Sequence, residues 1–103
     1  MVHQIQDMED LQSQLSAAGD KLVVIHFFAT WCGACIAPCF EAMAEDMSNV
    51  VFLKVDVDEA EDIDEEYNIS RLSTFVFLKK GEKVANLIGN NTEKLRDLVN
   101  KHA

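Results

Sequence analysis

Asp7 stands before Met8, Leu11 and Leu15, which recur at helical spacing, and Gly19 follows as a C-cap. That pattern predicts a first helix over residues 7 to 18. From Lys21 to Phe28 the chain is too apolar and β-branched for a half-exposed strand, so it reads as a central strand covered on both faces. Ile36, Cys39, Phe40, Met43 and Met47 recur at steps of three and four, predicting a second helix from the first cysteines to about Met47, kinked at Pro38. Val50 to Val57 reads as another buried strand, and Ala60, Ile63 and Tyr67 mark the inner stripe of a short acidic helix. Thr74 to Leu78 and Lys83 to Ile88 flank Lys79-Lys80-Gly81-Glu82, a hairpin signature. Thr92 caps a last helix whose inner face carries Leu95, Leu98, Val99 and His102. With a strand ahead of the first helix, the order is strand, helix, strand, helix, strand, helix, strand, strand, helix. This is an α/β fold with helices on both faces of a mixed sheet.

Composition narrows the classes of function. At 103 residues, with no repeat, no low-complexity tract and a single proline, the chain is expected to form one domain over residues 1–103. Nine Lys and Arg against eighteen Asp and Glu give a formal charge of −9, a field that repels phosphate backbones and argues against nucleic acid. The apolar run Leu22 to Ala29 is interrupted by His26 and is too short to cross a bilayer, so no membrane partner is expected. The opening Met-Val-His-Gln-Ile-Gln-Asp has no pattern of a secretory or transit signal, which leads to an expected cytoplasmic location. Three cysteines, two of them three apart, point to reactive or metal-binding thiols rather than to a stapled secreted framework.

The chemistry concentrates in Trp31-Cys32-Gly33-Ala34-Cys35, where the predicted central strand turns into the second helix. A thiol over a helix N-terminus meets unsatisfied N–H groups and a partial positive charge, both of which favour thiolate. Cys32 is therefore the candidate nucleophile. Cys35, one turn on and less exposed, lies within disulfide reach and can attack a mixed disulfide to release product. Two structural thiols, or half of a zinc site, are the other uses of such a pair.

Over essentially its full length the chain resembles the thioredoxin family, animal cytosolic type. The resemblance rests on Lys21-Leu22-Val23-Val24, Phe28-Ala29-Thr30-Trp31-Cys32-Gly33, Val55-Asp56-Val57-Asp58-Glu59 and Thr74-Phe75-Val76-Phe77-Leu78-Lys79-Lys80-Gly81. It implies a thioredoxin fold, a central sheet flanked by four helices. It also implies reduction of protein disulfides without a bound cofactor, and re-reduction by an NADPH-dependent thioredoxin reductase. By similarity Cys32 is the attacking and Cys35 the resolving thiol. Trp31, with Thr30, Leu72 and Gly89, rings the pair as a shallow contact patch, and the loop of Leu72, Ser73 and Thr74 faces it.

Four positions depart from the family pattern. Ala34 fills the usual proline position between the cysteines. His26 stands where the family has a buried aspartate that assists proton transfer at the resolving cysteine; a neutral imidazole, with a reference pKa of about 6.5, can also accept a proton. Ser73 replaces the cis-proline, and because a non-proline cis bond costs roughly 2.5 to 4 kcal/mol, the Leu72–Ser73 peptide is expected to be trans. Only Ile36 and Ala37 separate Cys35 from Pro38, two residues fewer than usual; that amounts to about 200° of helical rotation and calls for a rearranged turn or helix face.

The expected function is thus a weak or atypical protein-disulfide reductase using Cys32, Cys35 and His26. The alternative is binding of a [2Fe–2S] cluster, since relatives that lose the proline or vary the residues between the cysteines take up such clusters. Cys32 and Cys35 would then be the metal ligands, with the cluster bridged by a homodimer through the Cys32 face or completed by glutathione. An inactive partner-binding module is a third class. Cys39 reads as a buried core thiol. Eight of the eleven residues from Asp56 to Glu66 are acidic, but no central glycine is present, so this stretch reads as a solvated helical face rather than a calcium loop. His3 and His102 read as surface or packing residues.

Overall fold

The computed structural model describes all 103 residues. Strands β1 (His3–Ile5), β2 (Leu22–Phe28), β3 (Val50–Asp56), β4 (Thr74–Lys79) and β5 (Glu82–Ile88) form one sheet in the order β1-β3-β2-β4-β5. Helices α1 (Met8–Ala18), α2 (Pro38–Asp46), α3 (Glu61–Glu66) and α4 (Thr92–His102) complete the expected order. β1 and β2 both pair with β3 in parallel, whereas β4 runs antiparallel to β2 and to β5.

β2 lies at the centre of the sheet, and its alternation divides the core in two. Val23, Ile25 and Phe27 pack with Leu11 and Ala18 of α1, Ile63 of α3, Leu53 and Val55 of β3, and Val76 and Leu78 of β4. Leu22 and Val24 face the opposite way, against Phe40, Met43 and Ala44 of α2, Leu95 and Val99 of α4, and Phe75 and Phe77 of β4. Both faces are covered, which is why this strand carries no polar alternation. No helix of the chain is long and apolar enough to cross a membrane.

Local signals explain most boundaries. The Asp7 carboxylate accepts from the Asp10 N–H at 2.8 Å and starts α1, and Gly19 ends it at φ 59°. Lys80 and Gly81, at φ 55° and 81°, turn the hairpin between β4 and β5. α4 is capped by Asn91 rather than Thr92: the Asn91 carboxamide oxygen accepts from the Lys94 N–H at 3.0 Å. Thr92 is the first residue inside the helix. His3, read as a surface or packing residue, pairs its Nε2 with the Asp10 carboxylate at 3.0 Å.

The second helix differs most from expectation. Gly33–Cys35 form a single 3-10 turn, Ile36 and Ala37 are extended or irregular, and α2 begins at Pro38. Proline pushes the residue before it out of the helical region and suits the first helical position, so Pro38 initiates the helix instead of kinking it. The short spacing from Cys35 to Pro38 is absorbed in that break, and the α2 face carrying Phe40, Met43 and Ala44 still meets the core.

Candidate active site

Three segments converge at the C-terminal end of β2. The chain leaves Phe28 through Ala29, Thr30 and Trp31 to the cysteine turn, where the Cys32 N–H donates to the Ala29 carbonyl and the Cys35 N–H to the Cys32 carbonyl, both at 3.1 Å. The parallel partner β3 ends alongside, with Asp56 opposite Phe28 and the Val57 N–H donating to the Phe28 carbonyl at 2.9 Å. The antiparallel partner β4 begins there, with Thr74 opposite Phe27, which brings Leu72 and Ser73 to the same end of the sheet.

Cys32 and Cys35 form a disulfide with their Cα atoms 5.4 Å apart. Cys35 is 6% exposed and Cys32 half-buried, so Cys32 is the more accessible residue of the pair. The helix N-terminus expected beneath Cys32 is absent: Cys32 precedes only the three-residue 3-10 turn, and its side chain makes no capping bond. Exposure, rather than a helix field, distinguishes the two thiols. Trp31 is 70% exposed, and its indole N–H donates to Asp58 Oδ2 at 2.7 Å. Trp31 and Leu72 together border a cavity of about 360 Å³ that also has Asp58, Glu61, Asp64 and Arg71 in its wall.

The Leu72–Ser73 peptide is cis, not trans as expected. Contacts around the bond fix this turn. The Ser73 carbonyl accepts from the Gly89 N–H at 2.7 Å, the Thr74 hydroxyl donates to the Arg71 carbonyl, and the Ser73 hydroxyl is hydrogen-bonded to His26 Nε2. The side chains of Ser73 and Thr74 are thereby turned inward, at 2% and 5% exposure, leaving Leu72 as the half-exposed member of the loop. Gly89, half-buried at φ 98°, supplies the N–H that ties β5 to this loop.

His26 points from β2 into the face of the sheet covered by α2 and α4. Its ring stacks on Phe75 at 4.4 Å with 7° between planes and lies 5.6 Å from Phe40. Burial first, then the positive charge of Lys54, lower its pKa from 6.5 to about 4, so it is neutral at pH 7. His26, Cys35, Lys54 and Glu41 line one cavity of about 220 Å³. Lys54 Nζ lies 3.9 Å from Glu41 Oε1 and over the Phe28 ring at 5.7 Å from its centroid.

Cys39, read as a buried core thiol, is half-buried and packs against the core on the α2 and α4 face, and Arg96 Nη2 reaches its sulfur at 3.2 Å from α4. Asp64, within the acidic stretch, has one carboxylate oxygen buried without a partner; burial and then the charges of Asp58, Glu61, Asp56 and Asp62 raise its pKa to about 6. The acidic run from Asp56 to Glu66 hides which of its members folds inward. The stripe containing Ile63 and Tyr67 was the available clue.

A disulfide-bonded cysteine pair, one residue half-buried and the other buried, at the end of a central strand and beside a loop closed by hydrogen bonds, defines a thiol–disulfide exchange protein. The comparisons give the class its family. A thioredoxin family model matches residues 2–101, and the chain belongs to the thioredoxin family. It is 50% identical to the thioredoxin of Callithrix jacchus and 48% identical to that of Homo sapiens, each alignment covering 98% of both chains. It is 49% identical to thioredoxin-T of Drosophila melanogaster, covering 68% of that longer protein. The thioredoxin of Fasciola hepatica superposes with a TM-score of 0.95 at 38% identity, covering 98% of this chain and 99% of the other.

Proposed function

We propose that this chain reduces disulfides in other proteins, with Cys32 as the attacking and Cys35 as the resolving thiol. The observation that carries the reading is the asymmetry of the pair: Cys32 is reachable, and Cys35 is buried within bonding distance behind it. In the reduced protein the Cys32 thiolate attacks one sulfur of a substrate disulfide; the other substrate sulfur leaves as a thiolate and takes up a proton. The Cys35 thiol then loses its proton, and its sulfur attacks Cys32 Sγ. The bond between Cys32 and the substrate breaks, the second substrate thiol is released, and the Cys32–Cys35 disulfide remains. Two electrons have passed to the substrate. By its family, the chain would recover them from a thioredoxin reductase.

His26 is the acid–base partner in this reading, because it shares a cavity with Cys35 and is held neutral by burial and Lys54. The same environment that keeps the imidazole ready to accept a proton disfavours the imidazolium it becomes. Turnover slower than in relatives carrying the buried aspartate follows. Trp31, Leu72, Gly89 and the backbone of Ser73 and Thr74 form the contact surface for substrate. A free third cysteine beside a redox pair suits a reducing compartment such as the cytosol.

The cluster-binding alternative, with its bridging homodimer or glutathione, rested on the loss of the proline at Ser73 and on the changed residues between the cysteines. Hydrogen bonds involving Gly89, Arg71 and His26 hold the Ser73 loop, so an opened loop does not support that reading. The test is reduction of insulin in the presence of a thioredoxin reductase and NADPH: the wild-type chain is expected to turn over, and Cys32→Ser to show none. Equal rates for the two would overturn the proposal.

A further inference from the structure

Ser73 and His26 lie 47 positions apart in the sequence, and both are buried. Two contacts determine how the imidazole sits. Stacking on Phe75 sets the plane of the ring, and the bond from Nε2 to the Ser73 hydroxyl sets its rotation within that plane. The second ring nitrogen, Nδ1, is not among the buried atoms that lack a partner, while His26 lines the cavity that Cys35, Lys54 and Glu41 also line. One edge of the ring is therefore held by the loop, and the ring lines the same cavity as the resolving cysteine.

We propose that Ser73 is a positioning residue for the resolving step: its hydroxyl oxygen accepts the Nε2 proton of His26, leaving the Nδ1 lone pair facing the Cys35 cavity as the proton acceptor. The inference rests on the reading of His26 as the acid–base partner. A neutral imidazole carries one N–H, and the bond made by one nitrogen selects the tautomer and so the role of the other. The low pKa of His26 supplies the neutral ring on which this selection acts. In the step itself the Cys35 S–H proton moves to Nδ1, directly or through one water of the cavity, and the Cys35 sulfur forms its bond to Cys32 Sγ as the bond from Cys32 to the substrate breaks. The transient imidazolium carries protons on both nitrogens, so Ser73 Oγ keeps its acceptor role throughout. The departing substrate thiolate then takes the proton back. Serine is suited to this place because its oxygen accepts a hydrogen bond; a proline side chain offers no acceptor.

The experiment has two readouts. Nitrogen-15 NMR of the oxidised wild-type protein at pH 7 is expected to show His26 as the Nε2–H tautomer; an Nδ1–H tautomer would overturn the proposal whatever any variant does. Second, a symmetric aromatic disulfide releases one chromophoric thiol when Cys32 attacks and a second when Cys35 resolves. Ser73→Ala is expected to slow the second release relative to the first by about tenfold or more, the low end of what a positioned acid–base group supplies. His26→Gln is expected to slow the second release as well, and Ser73→Ala added to it should have no further effect. Unchanged resolution in His26→Gln would defeat the acid–base reading itself. Slowed resolution in His26→Gln but not in Ser73→Ala would defeat the role of Ser73 alone.

Discussion

The indole N–H of Trp31 donates to Asp58 Oδ2 at 2.7 Å and so ties the cysteine turn to the segment that follows β3. Both residues are exposed, so the bond orients the ring more than it stabilises the fold. Asp58→Ala should cost no more than about 1 kcal/mol of stability. Trp31 is the single tryptophan, which makes its emission a direct report on this contact. Faster depolarisation of the Trp31 fluorescence is expected in Asp58→Ala, with an unfolding midpoint close to wild type. Unchanged anisotropy would show that the carboxylate does not hold the ring.

The pH dependence of stability should carry the mark of His26. Its folded pKa of about 4 lies below the unfolded reference of about 6.5, so between those values the unfolded chain binds more protons. The stability that neutral His26 supports is therefore fully present above about pH 6.5 and is lost as pH falls toward 4. The loss amounts to about 3 kcal/mol if the whole shift is expressed. Urea midpoints from pH 7 to 4 should fall less steeply in His26→Leu than in wild type. Parallel profiles would remove His26 as the cause.

Asp64 should act in the opposite sense. Its pKa is raised to about 6, so the folded chain holds its proton more tightly, and the stability this supports is lost as pH rises through 6. Because Asp64 is partly exposed, solvent screens the effect and the gain from neutralising it is small. Asp64→Asn is expected to raise the unfolding temperature at pH 7 and to have little effect near pH 4. Destabilisation at pH 7 would mean that the carboxylate has a partner when charged.

The sequence pattern carried most of this architecture because its signals were local. The apolar run at β2, the Asp7 and Gly19 caps and the Lys80-Gly81 turn each follow from a few adjacent residues. The second helix was misjudged for a related reason. The three- and four-residue spacing of Ile36, Cys39, Phe40 and Met43 is real, but Pro38 excludes its predecessor from the helix, and that rule outweighs periodicity. At the site, the cysteine pair and Trp31 could be read from neighbouring residues. The bonds from Ser73 to His26, Trp31 to Asp58 and Arg96 to Cys39 span 47, 27 and 57 positions, and only the folded chain brings those partners together. The expected trans peptide failed for the same reason: a local cost argument took no account of the partners at Gly89 and His26 that fix the loop.

His26 and Ser73 replace two residues of the family pattern and touch one another, so they should be exchangeable only as a pair. Ser73→Pro alone leaves the buried Nε2 without its partner, a cost of about 1 to 3 kcal/mol. The double change His26→Asp with Ser73→Pro removes that defect and restores the family pair. It is expected to reduce insulin faster than wild type, and Ser73→Pro alone to be less stable than either. A double variant no faster than wild type would show that these positions do not limit turnover.

Trapping shows which of the two thiols attacks. Cys35→Ser, incubated with an oxidised protein substrate, should accumulate a mixed disulfide that mass spectrometry maps to Cys32, because the attack proceeds and the resolving sulfur is gone. Cys32→Ser should accumulate none, Cys35 being buried. A trapped adduct mapping to Cys39, or one forming through Cys35 in Cys32→Ser, would contradict the account.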